Sequence, residues 1–139
     1  MNELAERWLV FAWEDLRVAE RIMEDEIFNQ VCFHSQQCVE KTLKGALISR
    51  DISPPRSHSI TDLLSLFPSD WLADWRDDLT ALDDYYIPTR YPDALPGSLP
   101  EGMPGHTEAK EALDLAKAVY GQVSLLVLPK ASDNESKQQ

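Results

Sequence analysis

Apolar residues recur at helical spacing along most of the chain, and this pattern predicts a protein built from helices. Four long segments show the period, at residues 3–26, 28–50, 71–86 and, after a cap at Thr107, up to about Leu128. A shorter segment, 60–67, follows Ser59, which together with Asp62 is typical of a helix N-cap. The sequence therefore predicts an all-α fold, an up-and-down antiparallel helical bundle of four long helices plus one short helix.

The first predicted helix has one apolar face with a single acidic residue in its middle. Asp15 lies on this face among Leu4, Trp8, Phe11, Ala12, Val18, Ala19 and Ile22. A carboxylate in an apolar stripe must pair, take up a proton or face a polar pocket. Asp15 is therefore either half of a structural ion pair with Lys41, Lys44 or Arg90, or part of the wall of a ligand pocket.

The second predicted helix has a core stripe and, opposite it, a polar face. The core stripe consists of Phe28, Cys32, Ser35, Val39, Leu43 and Ala46. The polar face consists of Phe33, Gln37, Glu40, Lys41 and Lys44. An aromatic side chain among amides and charges is typical of a second contact surface. We therefore expect this face to form a homodimer seam or the groove beside it, with Glu40 and Lys44 paired at i,i+4 spacing.

Proline-rich stretches separate the later helices and define the extent of the domain. Residues 51–59 contain two prolines that cannot continue a helix, and residues 87–106 contain five prolines and three glycines, which predicts a long loop. The polar stretch 129–139 is typical of a disordered tail. One domain, residues 1–128, is therefore predicted.

The formal net charge of -11 at pH 7 limits the partners that the chain can bind. A protein this acidic repels a nucleic-acid backbone unless it has a local basic patch. One such patch exists between residues 41 and 58. This stretch contains one acid, Asp51, and four basic residues, Lys41, Lys44, Arg50 and Arg56. Contact with a nucleotide or RNA is therefore expected there, if anywhere.

The two cysteines, Cys32 and Cys38, are too far apart on one helix to form a disulfide. Free thiols fit a reducing cytoplasm. The chain has no cysteine–histidine cluster and no apolar run of membrane-spanning length. We therefore expect a cytoplasmic protein with no metal site, no cofactor and no membrane contact.

Several motifs together resemble those of the HEPN domain (higher eukaryotes and prokaryotes nucleotide-binding). The first helix carries W-x4-W-x-D-L-x-x-A from Trp8, and the second carries F-x-x-Q-Q-x-x-E-K-x-L-K-x-x-L from Phe33. The chain continues with S-H-S-I around His58, then D-L-x-x-L, and then Y-x3-R-Y-P-D from Tyr86. The resemblance spans residues 4–128.

This resemblance implies a helical bundle, usually a homodimer, often paired with a small nucleotidyltransferase protein in a toxin–antitoxin-like couple. Many HEPN proteins are metal-independent ribonucleases, whose signature is an arginine, four to six residues and then a histidine. That spacing is absent here: seven residues separate Arg50 from His58, and one separates Arg56 from His58. The resemblance therefore favours a nucleotide- or partner-binding module over a nuclease.

The expected ligand-binding residues are Asp15, Gln37, Lys41, Lys44, Arg56, His58, Arg90 and Tyr91. Each also has a structural interpretation. Gln37, with Gln36, is equally suited to interhelical hydrogen bonds, and Lys41 and Lys44 to a solvated face.

His58 either helps to cap the short helix or forms an anion-binding corner with Arg56 and the helix amides. Arg90 and Tyr91 are suited to holding a phosphate and stacking a base. Alternatively, Tyr91 fills the end of the bundle and Arg90 pairs with an aspartate.

Three functions remain open at this point. The first is a non-catalytic module that binds a nucleotide or a nucleotidyltransferase partner. The second is a ribonuclease with a divergent active site, in which His58 acts with Arg50 or Arg56. The third is a structural helical scaffold, for which reversing the charges of Lys41 and Lys44 would change only solubility.

Overall fold

The structure, a computed structural model, describes residues 3–85 and 103–127, and within these ranges it contains helices and no strand. The helices are α1 (Glu3–Glu24), α2 (Phe28–Ser49), α3 (Ile60–Leu64), α4 (Arg76–Ala81) and α5 (His106–Val127). Short 3-10 helices, Ala73–Trp75 and Leu82–Tyr85, extend α4 on both sides. The predicted all-α fold class is confirmed.

Left-handed backbone explains why several helices differ from their predicted bounds. Glu26 has φ 59° just after α1, and Asp51 has φ 61° just after α2. Leu72, with φ 56°, precedes Ala73–Trp75, so the fourth helical run begins after Trp71 rather than at it. Non-glycine residues in this region interrupt a right-handed helix. The predicted loop 87–106 lies largely outside the described residues, and the tail 129–139 lies wholly outside them.

Helix α2 is the centre of the bundle and packs against α1, α3, α5 and the helix Leu82–Tyr85. Its predicted core stripe is buried, apart from a half-buried Phe28. Gly45 allows α1 to come close, because a Cβ there would lie 3.2 Å from the Ala5 carbonyl oxygen and 3.3 Å from Leu9 Cγ. The small residues at this crossing therefore set the spacing of α1 and α2.

The core face of α1 differs from the predicted one. The buried side chains are Ala5, Leu9, Ala12, Asp15, Leu16 and Ala19. Leu4, Phe11 and Val18 were predicted to be core, but they are 52%, 52% and 39% exposed. The prediction was wrong because it followed the larger apolar side chains, whereas close packing against α2 selects the alanine row. An apolar stripe is thus left on the outside of α1.

An acidic residue from a distant segment caps α3. The predicted N-cap is confirmed, since the Ser59 hydroxyl accepts the Asp62 N–H at 3.2 Å. In addition, Asp83 accepts the backbone N–H groups of Ile60 and Thr61 at 2.7 and 3.1 Å and the hydroxyls of Ser59 and Thr61. These bonds tie the helix Leu82–Tyr85 to the start of α3.

Candidate functional site

A buried carboxylate from α1 holds two basic side chains of α2. Lys41 Nζ donates to Oδ2 of Asp15 at 2.6 Å, and His34 Nδ1 donates to Oδ1 at 2.9 Å. Asp15 is 9% exposed, so these partners replace the water that the carboxylate has lost. The pairing of Asp15 with Lys41 was one of the three predicted pairings. We call Asp15, His34 and Lys41 the Asp15 cluster.

A second buried carboxylate repeats the same arrangement further along α2. Glu40 is 2% exposed, and its Oε2 accepts from Lys44 Nζ at 3.1 Å, which confirms the expected i,i+4 pair. Its Oε1 lies 3.3 Å from His58 Nδ1. Lys44 Nζ also lies 5.3 Å from the centroid of the Trp8 ring, within cation–π distance. We call Glu40, Lys44 and His58 the Glu40 cluster.

Two glutamine side chains connect the Glu40 cluster to the loop before α3. Gln37 Nε2 donates to Gln36 Oε1 at 2.7 Å and lies 3.4 Å from Glu40 Oε1. Gln36 Nε2 donates to the backbone carbonyl of His58 at 3.0 Å. Gln36 is fully buried, so its amide is used to hold the loop. Gln37 is half-buried and lies at the edge of the site.

The two clusters have the same chemistry. In each, one carboxylate oxygen holds a lysine and the other holds Nδ1 of a histidine, His34 or His58. The lysine charges are therefore offset internally. Each histidine is oriented by a carboxylate, an arrangement suited to hydrogen bonding or proton transfer through Nε2.

The remaining predicted site residues are only partly brought together. Arg56 is exposed and makes no ion pair with the residues in the described ranges. The first N–H groups of α3 are not available for the expected anion-binding corner, because Asp83 and Ser59 already accept them. Arg90 and Tyr91 lie outside the described residues.

Sequence reasoning missed His34 and Asp83 and did not count Glu40 among the site residues. His34 precedes Lys41 by two helical turns and therefore shares its face, which is a signal that the spacing contained. Asp83 gave no such signal, because its capping role depends on how α3 and the helix Leu82–Tyr85 meet.

The buried thiols do not supply a nucleophile. Burial raises the pKa of both Cys32 and Cys38 to about 12. At neutral pH both therefore remain thiols, and the thiolate is the reactive form. Within the part of the chain that the structure describes, no group of three or more His, Cys, Asp or Glu side chains is placed to hold a metal ion. None of the helices there is long and apolar enough to cross a membrane.

Comparison with known proteins gives a consistent result. Two solved structures have the same fold. One is TT1696 from Thermus thermophilus, with 38% identity and a TM-score of 0.75 over 89% of this chain and 98% of that one. The other is ST0689, described as an archaeal HEPN homologue, with 33% identity and a TM-score of 0.71 over 92% of this chain and 100% of that one.

A curated relative and a family model extend the comparison. "Putative toxin MJ1304" from Methanocaldococcus jannaschii is 29% identical in an alignment of 119 positions that covers 78% of this chain and 78% of that one. The model of the HEPN domain matches residues 5–126, which span α1 to nearly the end of α5. The chain therefore belongs to the HEPN domain family.

Proposed function

We propose that this HEPN-domain protein is the helical member of a toxin–antitoxin-like pair and binds a nucleotide or a small nucleotidyltransferase protein. The class of function is supported by similarity to the protein named "Putative toxin MJ1304". The contacts are made by Lys41, Lys44, Arg56, His58 and Arg90, with Asp15, Gln37 and Tyr91 beside them. The protein acts in the cytoplasm, as a homodimer and without a cofactor.

One observation carries the binding interpretation: the lysine charges of the site are paired within the chain. Lys41 and Lys44 each donate to a buried carboxylate, so they would meet a partner as oriented hydrogen-bond donors rather than as unpaired cations. The arginine–histidine spacing of the ribonucleases is also absent. A polar surface with little net charge suits recognition by a partner. The exposed Arg56 at its edge supplies a cation that has no ion pair among the described residues.

The first test is a native pull-down of the tagged protein from its own cells, followed by mass spectrometry of the retained protein and nucleic acid. A nucleotidyltransferase protein is expected with the wild type and is expected to be lost with Arg56→Glu. Lys110→Glu is the matched control, because Lys110 is an exposed lysine paired with Asp114 on α5. A wild-type sample with no protein partner, and with no heat in nucleotide calorimetry, would contradict the proposal.

The geometry also favours one second candidate, a metal-independent ribonuclease with a divergent site. His34 and His58 are each oriented by a buried carboxylate, as a general acid and a general base require. Arg50 lies over the rings of Phe67 and Trp71, at 4.8 and 4.9 Å from their centroids, which leaves Arg56 as the arginine beside His58. Cleavage of RNA in EDTA by the wild type, lost in His58→Ala, would establish this candidate in place of the first.

A further inference from the structure

The outer surface of α1 carries a row of large apolar side chains. Leu4, Phe11 and Val18 follow one another at intervals of seven residues and so lie on one line along the helix. They are 52%, 52% and 39% exposed. Single exposed apolar residues are ordinary, but a regular row of them indicates a contact surface. We call these three residues the outer stripe.

Two opposite charges lie beside the outer stripe with the same spacing. Arg7 and Glu14 are seven residues apart, and both are exposed. Neither makes an ion pair with another residue in the described parts of the chain. The stripe is therefore flanked by a cation towards one end and an anion towards the other.

This pattern is complementary to itself when a second α1 runs in the opposite direction. With a two-fold axis at Phe11, each Phe11 meets its copy, and Leu4 lies opposite Val18 of the second copy. In the same alignment position 7 faces position 15 of the second copy, so Arg7 lies within one residue, about 1.5 Å along the axis, of Glu14, twice in the dimer. Arg7 and Glu14 lie beside the outer stripe and not on it. They can therefore pair while the apolar side chains of the stripe are in contact.

Other alignments of the same helices do not pair these charges. A parallel arrangement in register would put Arg7 and Glu14 of the two copies on opposite edges of the seam, out of reach of each other. An antiparallel arrangement with its axis at Glu14 would place Arg7 against Arg21. Like charges in contact oppose association, whereas complementary ones fix the register. The charge pattern therefore selects the antiparallel arrangement centred near Phe11.

A groove at one end of the outer stripe fits the same arrangement. It has a volume of about 490 Å³, and its apolar lining consists of Leu4, Trp8, Ile48, Ile52 and Pro54. In the antiparallel arrangement the last turns of α1 of the second copy arrive at this end, and they carry the half-buried Ile22. The apolar contact between the two copies would therefore extend from the outer stripe to this groove.

We propose that a second copy of this chain docks antiparallel along the outer stripe of α1. This inference rests on the homodimer of the proposed function, and it places the seam on α1, beside the polar face of α2, rather than at Phe33. Asp15 lies four residues from Phe11, so the two Asp15 residues would be about 12 Å apart along the helix axis. The docking therefore brings both Asp15 clusters to the borders of one seam.

Charge reversal in the full-length protein tests both the seam and its register. Sedimentation velocity over a concentration series gives the dimer Kd. Arg7→Glu and Glu14→Arg are each expected to raise that Kd about tenfold or more, because both pairs in the dimer become repulsive. The double variant R7E/E14R is expected to restore it. An equimolar mixture of the two single variants is expected to form heterodimers with a Kd near that of the wild type. One copy then has acids at both positions and the other has bases at both, so both pairs attract.

Apolar variants and a matched control complete the test. Phe11→Asp is expected to split the dimer, whereas Leu125→Asp, at an α5 residue that is 71% exposed, is expected to leave it intact. Circular dichroism confirms that the variants remain helical.

A wild type that is monomeric would overturn both the homodimer and this seam. A dimer that is split by Phe33→Asp but unaffected by changes at Arg7, Phe11 and Glu14 would overturn the seam alone. Single-variant defects without rescue in the double variant would overturn the antiparallel register.

Discussion

The carboxylate of Asp15 in α1 accepts a 2.6 Å hydrogen bond from Lys41 in α2, and this bond joins two helices at the edge of their packed interface. The sequence predicted this bond as one of three possible pairings of Asp15. Its contribution to the free energy of unfolding can be compared with that of an exposed ion pair, because α5 carries one, Lys110 and Asp114.

Asp15→Asn is expected to destabilise the fold by about 1–3 kcal/mol, because it leaves the Lys41 ammonium without its counter-charge in a partly buried setting. Asp114→Asn is the control, and it is expected to cost less than about 0.5 kcal/mol, since its pair is exposed. Urea unfolding gives both values. Equal losses in the two variants would show that the Asp15 pair contributes no more than a surface pair.

Gly45→Ala is expected to destabilise the fold by about 1 kcal/mol, despite the higher helix propensity of alanine. The added methyl would lie 3.2 Å from the Ala5 carbonyl oxygen, and backbone at a helix crossing yields little. Gly121→Ala in α5 is the control, because a Cβ there meets nothing within 4 Å, and it is expected to stabilise the fold by about 0.5–1 kcal/mol. The two thermal midpoints should therefore move in opposite directions.

Asp83→Ala is expected to cost about 1–2 kcal/mol, as the loss of a helix cap does. The variant removes the acceptor of four hydrogen bonds at the start of α3. Hydrogen exchange is expected to accelerate at the amides of residues 60–64. Asp84→Ala, at the exposed neighbouring acid, should leave this exchange unchanged. Protection of α3 that survives Asp83→Ala would show that Ser59 is a sufficient cap.

Alkaline pH is expected to weaken the fold. Burial raises the pKa of Cys32 and Cys38 from 9.0 to about 12, so the unfolded chain loses these protons first. The stability that the buried thiols contribute is therefore complete below about pH 9 and declines as the pH rises towards 12. Urea unfolding at pH 8 and pH 10.5 measures this decline. Cys38→Ala should make it shallower, and an unchanged slope would assign the decline to other groups, such as Tyr85, whose pKa is also raised to about 12.

Features that depend on short sequence spacing were predicted well. The all-α class, the Ser59 cap and the pair of Glu40 and Lys44 all follow from residues within about one helical turn of each other. They need no knowledge of how the helices are arranged.

Features that depend on which surfaces meet were predicted poorly. The face of α1 was misassigned because periodicity favours large apolar residues such as Phe11, whereas packing at Gly45 requires the small side chains of the alanine row. His34 was missed because its partner, Asp15, belongs to another helix. Ion pairs between helices become visible only when the rotation of each helix is known.

The Asp83 cap has a consequence for the position of His58. Gln36 holds the His58 carbonyl from one side, and Asp83 fixes Ser59 and the next two amides from the other. The main chain on the C-terminal side of this imidazole is thus held by two separate side chains, through hydrogen bonds to the backbone and to the Ser59 hydroxyl. A substitution at Asp83 would therefore change the position of His58 by moving the main chain. The distance between His58 and Glu40 would change with it.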